Sequence, residues 1–175
     1  MMITYTGIEF DPLNPETDKI DIRDIAHALS MICRANGHFK HFYSVGQQSL
    51  NCCIEAKARG YSDKVQLACL LHDAGEAYIA DLIRPVKEKM PEYIQCEEKL
   101  LKMIYEKFGI GSLTQTEKMQ VKKVDDDILF HEFLHINNVR FEETVPVLLG
   151  DSEFSEVSVD FIEKEFLNYF KKLSV

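Results

Sequence analysis

The sequence has 175 residues, enough for one domain with a proper core and too few for two ordinary ones. At 46% hydrophobic and 28% charged, with only 8 Gly and 5 Pro, it is not a disordered or low-complexity chain. Its net charge of -9, from 29 acidic and 20 basic residues with no basic cluster, argues against a nucleic-acid duplex or an anionic membrane as partner, since both demand cations to neutralise phosphates.

The N-terminal MMITYTGIEFDPLNP has no basic segment and no long apolar run, so no signal peptide is expected, and no stretch of about 18 apolar residues predicts a membrane span. Alternation followed by Pro and Asn makes this segment a short strand or hairpin arm. From Asp21 the period becomes helical: Ile22, Ile25, Ala26, Leu29, Ile32 and Cys33 share one face, with Asp18 or Asp21 as cap and a stop near Asn36-Gly37. A loop then leads to Ser44, which caps a second helix ending at Gly60.

Ser62 or Asp63 starts a third helix, DKVQLACLLHDAGEAYIA, read as continuous to Ala80. Pro85 and Pro91 divide the next segment into one short helical turn and a longer helix stopped by Gly109. Thr114 or Thr116 opens a fifth long helix through VKKVDDDILFHE, residues 141–152 are irregular, and SVDFIEKEFLNYFKKL closes the chain as an amphipathic helix. In that last helix Phe161, Ile162, Phe166, Leu167 and Phe170 gather on one side, for core packing ahead of an interface. The expected fold is all-α: a single domain over 1–175, a bundle of about six helices with a short N-terminal β-hairpin or strand.

The five cysteines, Cys33, Cys52, Cys53, Cys69 and Cys96, are odd in number and none is spaced as CxxC. They read as free core thiols of a reducing, cytoplasmic compartment rather than as a zinc site or a disulfide framework. His27, His131 and His135 read as ordinary helix-surface or capping residues, and His38 and His41 as loop residues.

His72-Asp73 is different, because QLACLL runs directly into it. Burying a carboxylate and an imidazole without a partner costs several kcal/mol, on the order of a buried charge, and a divalent cation accepts both. Glu76 follows four residues after His72 and three after Asp73, within one helical turn. A carboxylate beside a cation is what a general acid/base requires. In the triplet Asp125-Asp126-Asp127, Asp125 follows Val124 and precedes Leu129 by four, which puts it at the edge of the apolar face. Three donors from two helices leave coordination positions open, the layout of a catalytic site.

LLHDAGEAYIADLIRPVK and VKKVDDDILFHE, together with TYTGIEFDPLNP, IDIRDIAHALSMICRANG and FYSVGQQS, resemble the HD superfamily of metal-dependent phosphohydrolases. Within it the chain is similar to small bacterial and phage 5'-deoxynucleotidases and deoxynucleoside triphosphate triphosphohydrolases. The resemblance implies an α-helical bundle, agreeing with the periodicity. It implies that His72, Asp73 and Asp125 bind one divalent metal ion (Mn, Co, Zn, Mg, Ni or Fe), that Glu76 handles protons, that Asp81 meets a sugar hydroxyl, and that Arg34 holds a substrate phosphate. Dimers are common in that family, so a homodimer is among the assemblies it implies.

One position departs. Where the family carries a histidine in YSVxxHS, this sequence reads YSVGQQS and places Gln48. An amide oxygen coordinates hard cations but is neutral and weaker than imidazole toward softer ones. The expected function is metal-dependent hydrolysis of a nucleotide or other small phosphate ester. The alternative is a silent HD-fold nucleotide-binding or regulatory protein. A purely structural helical protein would leave these polar positions without a role. His38 or His41 is the conceivable substitute for the missing ligand.

Overall fold

A computed structural model describes residues 1–174. Strand β1 (Met2–Ile3) pairs antiparallel with β2 (Glu9–Phe10), Met2 opposite Phe10, after a turn in which Gly7 takes φ +84°. The hairpin is tied down through Thr6, whose backbone N–H and hydroxyl both donate to Asp24, and through Phe10, which is fully buried and stacks on Tyr78. The remaining regular structure is helical, so the fold is all-α with a short N-terminal hairpin.

Helix α1 (Ile22–Met31) begins where the Asp21 carboxylate accepts from the Arg23 N–H, and buries Ile25, Ala26 and Leu29. It ends at Met31, five residues before the Asn36-Gly37 stop expected from the sequence. The competing structure is a short bridge: Cys33 pairs with Ser44, the Arg34 N–H donates to Tyr43 O and the Val45 N–H to Ile32 O. Ala35 and Asn36 then turn the chain with φ +52° and +51°. Hydrogen bonds to the extended segment that precedes the next helix thus replace the last helical turn, and Arg34 is fixed at the turn's entrance.

Helix α2 (Val45–Ala58) is capped by Ser44, whose hydroxyl accepts from Gln47 N–H, and it lies at the centre of the molecule, packed by α1, α3, α7 and α8. Helix α3 (Asp63–Leu71) is capped by Ser62, α4 covers Glu76–Ile79, α5 Arg84–Lys87, α6 Pro91–Lys107, α7 Gln115–Glu132 and α8 Val159–Leu173. Six of these have nine or more residues. Thr114 and Glu117 form a reciprocal cap at the start of α7, and the chain continues from α7 through a wider π turn, Phe133–Asn137.

The helix expected from Asp63 to Ala80 is broken at His72. Beyond Leu71 the backbone bonds span three residues instead of four, with Ala74 N–H to Leu71 O and Glu76 N–H to Asp73 O. His72, Asp73 and Glu76 therefore leave a tightened junction rather than one regular helix. In α8, Ile162 and Phe166 are buried, but Phe161 is 55% exposed and does not join the core face assigned to it.

The main core lies between α1, α2, α3, α6 and α8, with Leu29, Leu70, Leu71, Leu100, Ile104 and Phe166 all at zero exposure. A smaller apolar cluster, Cys52, Ala56, Val65, Cys69, Val124 and Ile128, joins α2, α3 and α7. All five cysteines are free; Cys52, Cys53 and Cys69 are buried, whereas Cys33 is exposed and Cys96 half-buried, so the core-thiol reading fails for those two. Residues 138–158 form an irregular strap across α2, bonded to Gln47, Asn51 and the buried Glu55. Its Pro146 carbonyl accepts from His131 Nε2, which makes His131 a buried bonding residue and not a surface one. Among the described residues no helix is long and apolar enough to cross a membrane.

Candidate functional site

The break after α3 directs its polar groups toward α2 and α7. His72 Nδ1 lies 2.8 Å from Cys69 O, and a carbonyl only accepts, so Nδ1 carries a proton and Nε2 is the ring nitrogen turned toward the carboxylates. Nε2 sits 3.2 Å from Asp73 Oδ2 and 3.5 Å from Asp125 Oδ1, aligned as a hydrogen bond with neither. Asp125 comes from the middle of α7, beside the fully buried Val124. From α2, the Gln48 amide nitrogen donates to Asp125 Oδ1 at 2.7 Å, while its Oε1 is buried without a partner. One turn later on α2, Cys52 Sγ, a His72 ring nitrogen and an Asp125 oxygen lie within 4.8 Å of one another.

Arg34, from the turn after α1, faces this group. Its guanidinium is 3.7 Å from Asp73 and 3.8 Å from Asp81, and donates to Glu132 at 3.3 Å. Glu132 ends α7 seven residues after Asp125, with no exposed surface. Glu76, 3% exposed, turns inward with Oε2 unpartnered.

The charges here constrain one another. Burial opposes the charged His72 ring, but Asp73 and Asp125 outweigh it and raise its pKa. Burial likewise works against the Asp73 and Asp125 carboxylates, and His72 and Arg34 overcome it, so both pKa values fall. Glu76 moves the other way: burial first, then Asp73 and Asp81, hold it well above the usual carboxylate range. Burial also raises Asp81, with Arg34 offsetting only part, and pushes Glu132 up to about 7. Arg34 stays protonated because Glu132, Asp73 and Asp81 more than compensate its own burial.

A cleft of about 800 Å³ opens over Asp73, Glu76, Asp81 and Asp125. Its opposite rim carries Arg84, Lys87 and Lys122, and Phe39, Leu129 and Phe133 supply apolar wall. The carboxylates are thus deep and the cations outside, Arg84 and Lys122 paired with Asp126 and Lys87 with Glu97.

All seven residues singled out in the sequence, Arg34, Gln48, His72, Asp73, Glu76, Asp81 and Asp125, are brought to this region. His41 is not: its Nε2 bonds to Phe154 O under the strap, and His38 lines only the outer cleft. Of the triplet, Asp126 faces solvent with Arg84 and Lys122, and Asp127 is buried against Arg59 and Lys123. Sequence reasoning missed Cys52 and Glu132 as site residues. Their signals were spacings: Cys52 is four after Gln48, and Glu132 seven after Asp125, each on the same helix face.

Asp81 is held by an unusual backbone. Ala80 has φ +69° and ψ 161°, a conformation otherwise left to glycine, and its carbonyl accepts from the Tyr93 hydroxyl.

No family model matches the chain. It is 39% identical over 115 residues, 65% of its length, to the uncharacterized protein YfdR of Escherichia coli (strain K12), covering 61% of that protein. It is 33% identical over 130 residues, 70% of its length, to an uncharacterized protein of Rhodobacter capsulatus, covering 65% of it. The chain thus spans less than two thirds of the length of these relatives.

Proposed function

We propose that the chain is a metal-dependent phosphohydrolase of the HD type, acting on a nucleotide or a related small phosphate ester. The observation that carries this reading is a concentration of unsatisfied groups. Of nine buried side-chain polar atoms without a partner among the described residues, five belong to Arg34, Gln48, His72, Glu76 and Glu132. Buried polar atoms are nearly always paired, so five gathered about the Asp73 and Asp125 carboxylates support a ligand there.

The donor set suits a divalent cation: one imidazole nitrogen with its tautomer fixed from behind by Cys69 O, carboxylates from Asp73 and Asp125, and the Gln48 amide oxygen beside them. Such a cation supplies Lewis acidity, polarising a phosphoryl oxygen and acidifying a neighbouring water. Glu76, protonated more readily than an ordinary carboxyl, exchanges a proton at the attacking water or the leaving oxygen. Arg34 offers two parallel N–H donors to phosphate oxygens, and Glu132 behind it fixes the plane of that fork. Asp81 accepts from a sugar hydroxyl, and the basic rim favours substrates with more than one negative charge.

A second reading rests on the Gln48 contact. The amide donates to the Asp125 oxygen that would otherwise face the cation, which favours a nucleotide binder with little turnover. One screen tests both: deoxy- and ribonucleotide mono- and triphosphates with Mn, Co, Zn, Mg, Ni or Fe, following phosphate release and binding in parallel. Release that disappears in Asp73→Asn supports the enzyme. Binding without release from any substrate with any metal supports the silent form, and neither binding nor release overturns both.

A further inference from the structure

We infer that Cys52 is a thiolate ligand of the cation, taking up the coordination that Gln48 provides poorly, and that the site consequently prefers thiophilic metals such as zinc over magnesium or manganese. This rests on the metal-dependent reading above, and its test separates the two.

Four observations meet at this side chain. Cys52 Sγ is within 4.8 Å of both a His72 nitrogen and an Asp125 oxygen, close enough for one ion to touch all three after small side-chain movements. Cys52 is 1% exposed and its thiol is free, and among the described residues no hydrogen bond engages it, so no such bond must break. It lies four residues after Gln48, on the same face of the central helix, so both side chains present to α3 and α7. The unpartnered Gln48 Oε1, on a residue with no exposed surface, independently marks this spot as lacking a ligand.

Gln48 then acts as a positioning residue. Its amide N–H holds Asp125 Oδ1 and orients that carboxylate, while its neutral oxygen adds little to affinity. A sulfur donor changes which metals bind, because thiolate favours zinc, cobalt and cadmium, whereas an all-oxygen and imidazole set serves harder ions. On ligation the thiol proton passes to solvent and the sulfur lone pair forms the bond to the cation; no oxidant or reductant is involved.

The test uses the full chain stripped of metal and titrated with Co(II). The wild type is expected to develop a sulfur-to-cobalt charge-transfer band at one equivalent. Cys52→Ser should lose that band and bind Zn(II), by chelator competition, about tenfold or more weakly, since even groups behind the ligands cost about that much. Cys96→Ser, a cysteine away from the site, should keep both. Equal melting of metal-free wild type and Cys52→Ser confirms that the loss is local, and cadmium NMR of the wild type reports sulfur ligation without any variant. An unchanged band and Zn affinity in Cys52→Ser, or a band that vanishes only in Cys69→Ser, overturns the inference. If binding in those cases still requires Asp73, the metal-dependent reading stands alone. A wild-type chain that takes up neither Co(II) nor Zn(II) overturns both.

Discussion

Asp125, Asp126 and Asp127 show how finely one helix sorts identical side chains. At 100° per residue they point to three directions: into the cleft, to solvent beside Lys122, and into a buried pair with Arg59. Position relative to Val124 and Leu129 was enough to select Asp125 from the sequence. Arg59 as partner of Asp127 was not legible, because the two are 68 residues apart and meet only through the packing of α2 on α7. At Gln48 the sequence revealed the chemical departure but not that the amide nitrogen would contact Asp125. Gln48→His is expected to tighten metal binding by about tenfold or more and raise phosphate release; unchanged metal affinity by chelator competition would remove Gln48 from the coordination sphere. Glu132 carries a pH dependence. Its carboxyl is ionised in the unfolded chain above about 4.5, yet stays protonated in the fold until about 7. Wild-type stability therefore falls as pH rises through that window, and is unaffected by this group below it. Glu132→Gln removes the dependence: in metal-free denaturation, the variant should gain on the wild type by up to about 3 kcal/mol between about pH 4.5 and pH 7. A constant difference across that range would contradict the assignment.

The helices and their caps were the most legible elements. Asp21, Ser44, Ser62 and Thr114 each accept from a backbone N–H at a helix start, as their position before an apolar-periodic run predicts. The two misread boundaries have a common cause. At Met31 and at Leu71 the apolar period continues, but backbone bonds to Tyr43 and Ser44 in one case, and a tightened junction in the other, outcompete further α-helix. Periodicity reports which face is buried and is silent about such competition. Both interruptions supply site residues, Arg34 from the first and His72, Asp73 and Glu76 from the second. The seating of α2 on α1 depends on Gly46, where an added Cβ would come within 3.1 Å of Leu29 C, Ser30 N and Ile162 Cγ2. Two of those atoms are backbone and cannot give way. Gly46→Ala should cost about 1–3 kcal/mol and, by shifting Gln48 and Cys52 with their helix, weaken metal binding as well. A chemical melt together with a metal titration checks both halves, and loss of stability with unaltered affinity would show that α2 moves without its site.

For the molecule as a whole, the all-α architecture with its N-terminal hairpin was legible because six of its helices are long enough to show their period. The strap over 138–158 was legible only as irregular chain. Its anchoring by Glu55, which accepts from Leu149 and Gly150 N–H groups some ninety residues onward, follows from tertiary structure alone. The candidate site draws its donor groups from α2, the α3–α4 junction and α7, so a cation there would link three separate parts of the chain. Binding to the folded form alone should then raise global stability. Zinc at about a hundredfold its dissociation constant adds about 2.7 kcal/mol, or about 5–10 °C in melting temperature for a chain this size. A chelator should reverse the shift, and identical melting with and without metal would show that the folded chain has no such site.

Ala80 bears on how stability and precision are divided in this molecule. A residue other than glycine at φ +69° and ψ 161° carries about 1–3 kcal/mol of strain, and here it directly precedes the carboxylate facing Arg34. Glycine relieves that strain but loses more freedom on folding, a cost of about 0.5–1 kcal/mol. Ala80→Gly should consequently melt higher by a margin smaller than the strain itself, while letting Asp81 wander and raising KM for a sugar-bearing substrate. If the variant gains stability at no expense in KM, the tension is mere residue of the fold; if the two trade, the chain has kept a less stable backbone in return for a carboxylate that does not have to be aimed when substrate arrives.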